Sequence, residues 1–264
     1  SLIQILDSTI ANVAIPHMQT SLGATSDEVS WVLTSYIVAV AVAMPITGWL
    51  ADRVGSRRLF IFSVVGFVVA SMLCGMAQNI TEMVIFRAMQ GAMGAFISPL
   101  SQAAMIDTNR PSRQAQMMAL WGMGVMIGPI MGPTLGGYLT EWFHWRWVFY
   151  VNVPFGIMAT IGLMLFMPRS AVRPELRFDW TGFAVLALAI GSFQLMLDRG
   201  QSEDWFTSPE IIIAAVLAGL GFYLFMVHMF TAEKPLIPRG VFSDRNYVAS
   251  MTMMFCTGSI LMAS

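Results

Sequence analysis

Apolar residues in this chain come in long blocks, separated by short polar segments that hold most of the charges. A helix that crosses a bilayer needs about 20 mostly apolar residues, and nine such blocks can be recognised. Because helices are the only open-chain structure that satisfies its backbone hydrogen bonds in lipid, we predict nine membrane-spanning helices. The first ends near Met18, the next seven cover 29–51, 59–77, 82–106, 114–139, 147–167, 179–197 and 209–230, and the ninth begins near Arg245.

Composition supports a membrane protein and excludes several other classes. Hydrophobic residues make up 56% of the 264 residues and charged residues only 11%, whereas soluble domains carry roughly 25% charged residues. The net charge of -1 provides no basic surface for nucleic acid. A soluble enzyme, a nucleic-acid-binding protein and a secreted disulfide scaffold are thereby excluded. Cys74 and Cys256 lie far apart in apolar runs, and we interpret both as reduced packing residues.

Both ends of the chain, Ser1 and Ser264, lie in apolar runs. A chain that stops in mid-span leaves helix-terminal carbonyls without partners in hydrocarbon. We therefore expect this sequence to be a fragment of a longer protein.

Basic residues predict the orientation, because cytoplasmic loops carry an excess of Lys and Arg. The loops after the second, fourth, sixth and eighth spans, with the start of the ninth span, hold eleven basic residues, and the opposite loops hold two, Arg146 and Arg199. We therefore place these loops and the N-terminus in the cytoplasm. The eleven are Arg53, Arg57, Arg58, Arg110, Arg113, Arg169, Arg173, Arg177, Lys234, Arg239 and Arg245.

Two ionisable residues lie inside predicted spans, Asp7 in the first and Arg87 in the fourth. From the predicted span ends, Asp7 lies roughly 16 Å and Arg87 roughly 8 Å below the outer surface. A long Arg side chain can bridge that offset if the two helices face each other. Charges inside a membrane are costly and mark functional sites by default. Two interpretations stay open: a structural ion pair, or a carboxylate that binds and releases protons and is tuned by Arg87.

Two further segments contain glycines in sequence patterns that ordinary loops and helix packing do not require. The loop between the second and third spans has the spacing Gly-x-x-x-Asp-Arg-x-Gly, with Asp52 among three arginines, and its glycines allow a tight turn. The fifth span has glycines in steps of four, which share one helix face and allow close helix approach. Pro129 and Pro133 remove backbone donors there and should bend the helix. The spaced glycines are Gly124, Gly128, Gly132 and Gly136, with Gly137 beside the last.

No pattern typical of an enzyme or a metal site appears in the chain. The three His residues have no partner at metal-ligand spacing, and no nucleophile–base set can be recognised. We therefore expect no catalytic activity, no metal and no cofactor.

Taken together, the motifs resemble the major facilitator superfamily, and in particular its 14-span drug:proton antiporters of the EmrB/QacA type. The resemblance covers essentially the whole chain. It rests on Leu6 to Pro16, on Gly48 to Arg58, on Arg87 to Gly91 with Gln90, on Gly124 to Gly137, on Trp145 to Gly156, and on Leu197 to Gly200 followed by Asp204 to Phe206.

The resemblance implies an all-α membrane protein with the superfamily fold. Residues 1–167 would form the N-terminal six-helix bundle, and 168–178 a cytoplasmic loop. Residues 179–230 would be two extra helices, 231–244 a second cytoplasmic loop, and 245–264 the truncated first helix of the C-terminal bundle. Such a bundle consists of two inverted three-helix repeats.

The resemblance also implies roles for the motif residues. Asp7 would be a proton-coupling site facing the central cavity, and Arg87 would tune its proton. A cytoplasmic gating motif would close against the C-terminal bundle, and the glycine face of the fifth span would pack against the same bundle and limit leakage. The gating residues are Gly48, Asp52, Arg53, Gly55, Arg57 and Arg58, and the fourth-span motif is Arg87, Gln90 and Gly91.

The function so implied is proton-driven export of hydrophobic or amphipathic toxic compounds across a bacterial cytoplasmic (inner) membrane. The proton gradient would supply the energy. Relatives in double-membraned bacteria work with a periplasmic adaptor protein and an outer-membrane channel, while those in single-membraned bacteria work alone. Two alternatives remain: a carrier of one dedicated metabolite, such as a siderophore or lipid-like product, and a non-transporting assembly or sensor protein. The buried charges argue against the last of these.

Overall fold

The computed structural model describes residues 1–168, 172, 175, 178–232, 235–237, 240–241 and 244–263, with side chains in the last segment described to residue 256. These residues form twelve α-helices and two short 3-10 helices. The α-helices are α1 Leu2–Leu22, α2 Ser26–Ala43, α3 Thr47–Val54, α4 Ser56–Met76, α5 Ile80–Gly94, α6 Ile97–Thr108, α7 Pro111–Trp142, α8 Trp147–Tyr150, α9 Asn152–Phe166, α10 Trp180–Arg199, α11 Pro209–Thr231 and α12 Arg245–Ala263.

Three of the predicted spans are each divided into two helices. The second span changes to a 3-10 turn at Met44–Ile46, where Pro45 lacks the N–H that a continuous helix would use. The fourth span breaks between α5 and α6, just before Pro99, and the sixth breaks between α8 and α9, just before Pro154. By contrast, α7 continues through Pro129 and Pro133 as one assigned helix of 32 residues.

Seven helical segments of the described residues are long and apolar enough to cross a membrane, and the first and ninth predicted spans are present as helices α1 and α12. The seven segments are Ser26–Val54, Ser56–Met76, Ile80–Thr108, Pro111–Trp142, Trp147–Phe166, Trp180–Arg199 and Pro209–Thr231. Helices α1 and α12 are 21 and 19 residues long but less apolar. In α1 the polar residues include Asp7, which is fully buried, so this helix presents polar groups to the interior of the bundle.

The first nine helices pack into one bundle with α1 and α4 at its centre. Helix α1 lies along α7, α2 lies along α5, and α4 contacts both α5 and α9. One apolar cluster joins α1, α2, α4 and α8 through Ile10, Val32, Cys74 and Phe149. A second joins α2, α4 and α6 through Tyr36, Phe67 and Leu100. The residues of the candidate site lie between these two clusters.

Helices α10 and α11 pack as a pair, and α10 also packs along α2. At one end Arg199 is almost fully buried and binds three carboxylates, at distances of 2.8 Å to Asp27, 2.7 Å to Glu203 and 3.0 Å to Glu210. The Arg199 guanidinium also donates to Ser30 and lies 4.8 Å from the centre of the Trp31 ring. This Arg199 clasp joins α10 to both α2 and α11.

A second polar contact joins the opposite ends of the same two helices. Asp179 caps α10 by accepting from the Gly182 N–H, and it contacts His228 of α11 at 2.9 Å. Burial favours a higher pKa for Asp179, but the hydrogen bonds from Gly182, His228 and Leu236 outweigh it and hold that pKa below its ordinary value.

Five of the basic residues that predicted the orientation lie outside the described residues. They are Arg169, Arg173, Arg177, Lys234 and Arg239.

Candidate functional site

Asp7 and Arg87 form an ion pair in the interior of the bundle. The Asp7 Oδ2 atom lies 2.7 Å from Arg87 Nη1, and both side chains have 0% exposure. The first and fourth spans therefore face each other, and the pairing that the sequence left open is present. An ion pair without water contact is expensive to bury and contributes little net stability. Its presence is a reason to look for a function.

Two side-chain amides complete the surroundings of the Asp7 carboxylate. Its Oδ1 atom accepts from Gln90 Nε2 at 2.9 Å and from Asn152 Nδ2 at 2.5 Å, and both residues are fully buried. With Arg87, three N–H donors converge on one carboxyl group. Because every one of these partners is a donor, the arrangement fits the ionised carboxylate.

Arg87 is held in place by contacts from three directions. Its Nε donates to the Val32 carbonyl at 3.2 Å, and its Nη1 donates to Gln90 Oε1 at 2.8 Å. The guanidinium carbon lies 4.2 Å from the centre of the Tyr36 ring and 5.7 Å from that of Phe149. Aromatic faces attract a cation and exclude water from it. Arg87 therefore stays fixed and charged beside Asp7.

The polar cluster extends from Asp7 into α4 and α8. Asn152 Nδ2 also donates to Ser71 Oγ at 2.9 Å, and Ser71 Oγ donates to the Phe149 carbonyl at 2.9 Å. Cys74, one turn from Ser71, lies with its Sγ 3.7 Å from Gln90 Oε1. Both cysteines of the chain are free, as predicted, but Cys74 is more than a packing residue because it touches the site.

Sequence reasoning missed Asn152, Ser71 and Tyr36 as members of this cluster. Asn152 lies within the Trp145 to Gly156 signature, to which no role was assigned. The available signal was its position: an amide within a long apolar stretch needs a hydrogen-bond partner. Ser71 gives no such signal, because small hydroxyl residues are common in membrane helices and often bond their own backbone.

The Asp7 side chain is enclosed by helices of this bundle. The side chain has 0% exposure. The residues that bind the carboxylate belong to α5 and α9 of the same bundle.

The glycine face of α7 packs against α1, which corrects the expectation that it meets the C-terminal bundle. A Cβ at Gly128 would lie 2.7 Å from Ile5 Cγ2, one at Gly132 would overlap Thr9, and one at Gly136 would lie 3.1 Å from Val13 Cβ. Four-residue spacing allowed this close approach but did not specify the partner. Gly124 and Gly137 have open space at the Cβ position, and Pro129 and Pro133 are exposed.

The cytoplasmic gating motif surrounds the junction of α3 and α4. Gly55 forms the turn with a φ of 96°, a conformation that side-chain-bearing residues rarely adopt. Arg57 Nη2 donates to the Met164 carbonyl of α9 at 2.5 Å, so this arginine is bound within its own bundle. Arg53 lies over the Trp49 ring at 4.9 Å. The remaining motif members Asp52 and Arg58 are exposed, and Gly48 has open space around it.

Gly91 of the fourth-span motif allows α5 to approach α2 closely. A Cβ at this position would overlap the carbonyl oxygen of Tyr36. This close approach brings the Tyr36 ring beside Arg87, and Gly91 thereby supports the site. Across the described part of the chain, no group of three or more His, Cys, Asp or Glu is placed to hold a metal ion.

Comparisons with known proteins agree on one class. The chain is 39% identical over 265 residues to the multidrug export protein EmrB of Escherichia coli strain K12, covering 98% of this chain and 52% of that protein. It is 39% identical over 245 residues to the fatty acid resistance protein FarB of Neisseria gonorrhoeae, covering 92% and 48%. The chain thus spans about half the length of these curated relatives.

Solved structures resemble the fold. The crystal structure of peptide transporter POT in complex with sulfate matches with a TM-score of 0.62 at 14% identity, over 88% of this chain and 52% of that one. The crystal structure of a D-xylose-proton symporter matches with a TM-score of 0.57 at 12% identity, over 87% and 65%.

The fold is that of a multi-pass membrane protein. The family model described as Major Facilitator Superfamily matches residues 1–264. The chain belongs to the Major Facilitator Superfamily, and it resembles that family's EmrB-type multidrug export proteins over nearly its whole length.

Proposed function

We propose that this chain is part of a proton-coupled exporter of hydrophobic or amphipathic toxic compounds that works by alternating access. One observation carries the proposal: a fully buried carboxylate, Asp7, paired with Arg87 inside a bundle of this family. Multidrug export proteins are 39% identical to the chain. The proton gradient across a bacterial cytoplasmic membrane would supply the energy.

The contacts of Asp7 support a simple coupling mechanism. The Asp7 side chain is fully buried, and Arg87, Gln90 and Asn152 donate to it, an arrangement that suits the ionised form. Addition of a proton removes its negative charge and weakens the attraction to Arg87. Because the ion pair joins α1 to α5, its weakening favours separation of these helices. Proton binding thereby biases the bundle between two conformations.

Transport in liposomes tests the proposal. The full-length protein is reconstituted with a pH-sensitive dye inside, a proton gradient is imposed, and hydrophobic dyes of different charge are added. We expect dye transport coupled to proton flux in the wild type, and loss of the coupling in folded Asp7→Asn. Transport without proton flux in the wild type contradicts the coupling.

Competition experiments separate the exporter of many compounds from a carrier of one metabolite. Relatives named for multidrug export and for fatty acid resistance favour a broad range of apolar compounds. We expect chemically unrelated compounds to compete for transport. Competition restricted to one chemical class supports the dedicated carrier. An adaptor protein and outer-membrane channel belong to the proposal for a double-membraned cell, and liposomes, which lack them, isolate the step at the inner membrane.

A further inference from the structure

The two amides that bind Asp7 differ in their freedom to turn. Gln90 Oε1 accepts from Arg87 Nη1 at 2.8 Å, while Gln90 Nε2 donates to Asp7 Oδ1 at 2.9 Å. A reversed Gln90 amide would direct its NH2 group at a guanidinium, which has donors only. The orientation of Gln90 is therefore fixed by Arg87.

Asn152 has no such restraint. Its Nδ2 donates to Asp7 Oδ1 at 2.5 Å and to Ser71 Oγ at 2.9 Å. Its Oδ1 atom is buried and has no hydrogen-bond partner among the residues that the structure describes. Reversal of the Asn152 amide therefore breaks only the two hydrogen bonds that its NH2 group donates, and none to its oxygen. Ser71 can adapt as well, because a hydroxyl group both donates and accepts.

When Asp7 binds a proton, its carboxyl group gains a hydrogen-bond donor that faces other donors. One of the two amides must then present an acceptor. Arg87 continues to donate to Asp7 Oδ2, so the new proton resides on Oδ1. The Oδ1 atom then becomes a donor that faces the NH2 groups of both Gln90 and Asn152. A buried donor that faces only donors costs about 1–3 kcal/mol. Only Asn152 is free to present an oxygen instead.

We propose that Asn152 is a positioning residue whose side-chain amide reverses when Asp7 binds a proton, an inference that rests on the proposed function. In the ionised state Asn152 Nδ2 donates to the carboxylate. In the protonated state Asn152 Oδ1 accepts the Asp7 O–H, and the Ser71 hydroxyl turns from the Phe149 carbonyl to Asn152. The protonation state of Asp7 is thereby transmitted from α1 to α4 and α8.

Other titratable groups near Asp7 do not account for proton uptake near neutral pH. They are Arg87 on α5, Tyr36 on α2 and Cys74 on α4. The ordinary titration of free Cys, Tyr and Arg lies above about pH 8.

Infrared difference spectra between neutral and acidic pH test the reversal in the full-length protein without a mutation. Asn is labelled with 13C at the side-chain carbonyl in one sample, and Gln in another. We expect a protonated carboxyl band to appear on acidification together with a shift of an Asn side-chain carbonyl band. No Gln band should shift with it. Both changes should be absent in Asp7→Asn, and the Asn change should be absent in Asn152→Ser.

Transport by two variants at position 152 supplies an independent readout. Serine can donate and accept, so Asn152→Ser should change the pH midpoint of proton release less than Asn152→Leu does. Asn152→Leu is similar in size but does neither. We expect it to bind substrate and to move the pH midpoint of proton release upward by about one unit, because the ionised carboxylate loses the stronger hydrogen bond.

The outcomes separate this inference from the proposed function. A carboxyl band without any Asn band overturns the reversal, and so does Asn152→Leu with the wild-type midpoint. If the wild type itself releases no protons with substrate and shows no carboxyl band, the proposed function fails first. If Asn152→Leu does not fold, the infrared spectra of the labelled wild type and of Asn152→Ser still test the reversal.

Discussion

At the scale of single residues, the central feature is a pair of opposite charges without water contact. The Asp7–Arg87 pair has 0% exposure on both sides. Removal of one partner of such a pair leaves an uncompensated buried charge and costs about 3–5 kcal/mol, whereas removal of both charges together costs far less. This asymmetry gives a direct test of whether the two residues act as a unit.

We predict that Arg87→Leu lowers the free energy of unfolding of the full-length protein by about 3–5 kcal/mol. The double variant with Asp7→Asn should recover a large part of that loss, because no ionised group is then left alone. Unfolding of the purified proteins in detergent, read by circular dichroism, measures both. Additive losses in the double variant would show that the two residues are not coupled.

Residues of the site differ in how far the sequence could reveal them. Asp7 and Arg87 were predictable because charges in apolar spans are rare and their depths were compatible with contact. The sequence showed Asn152 as a polar residue within the Trp145 to Gly156 signature, but it did not show that Asp7 is its partner. The full burial of Asp7 depends on how α1 is rotated in the bundle, and no residue pattern within α1 specified that rotation.

At the scale of helices, close approach depends on a few positions without side chains. Gly132 of α7 lies against Thr9 of α1, and a methyl group there would overlap the Thr9 side chain. Gly124, two turns earlier on the same helix, has open space. The spacing of four predicted a flat face correctly, but not that α1 would cover it or that Gly124 would lie beyond the contact.

We expect Gly132→Ala to destabilise the protein by about 1–3 kcal/mol, the usual cost of adding atoms to a packed interface. Gly124→Ala is the matched control and should leave stability unchanged or slightly raised, because alanine favours helix. Thermal unfolding in detergent compares the two variants. Equal effects of both would argue against the packing of α7 on α1.

The Arg199 clasp makes a second prediction at this scale. In Arg199→Leu the carboxylates of Asp27, Glu203 and Glu210 lose their shared cation and repel one another. Helix α10 should then separate more readily from α2. Val42 and Gly191 lie against each other across these two helices. Cysteines introduced at both positions, in a protein that also carries Cys256→Ser, report the separation of the helices.

We expect disulfide formation between these cysteines to fall severalfold in Arg199→Leu. The exposed Arg113 supplies a control, since Arg113→Leu removes the same charge at a distance from the clasp. A yield in Arg199→Leu equal to that of the control would show that apolar packing alone holds α10 on α2.

At the scale of the whole molecule, the helices form a bundle whose long apolar segments suit a bilayer. Apolar runs predicted where the helices lie, whereas the breaks before Pro99 and Pro154 were missed because proline also occurs inside a continuous helix, as in α7. The packing of α10 on α2 was not predictable either, because it depends on contacts between distant segments.

Orientation in the membrane rests on the distribution of basic residues and is open to direct measurement. We predict that a cysteine at Ser112, at the start of α7, faces the cytoplasm, and that one at Gln201, after α10, faces outward. Both positions are exposed. In whole cells carrying Cys256→Ser, a membrane-impermeant maleimide should label the second site only. Labelling of the first site alone would reverse the topology.

The central claim is that Asp7 is the group that binds the coupled proton. Proton release on substrate addition, followed with a pH dye in weakly buffered detergent solution, measures this without a membrane or a gradient. We predict that the wild type releases protons, that Asp107→Asn, at an exposed position outside the motifs, does so equally, and that Asp7→Asn binds substrate but releases none. Proton release from Asp7→Asn equal to that of the wild type would contradict the account and place the proton site elsewhere.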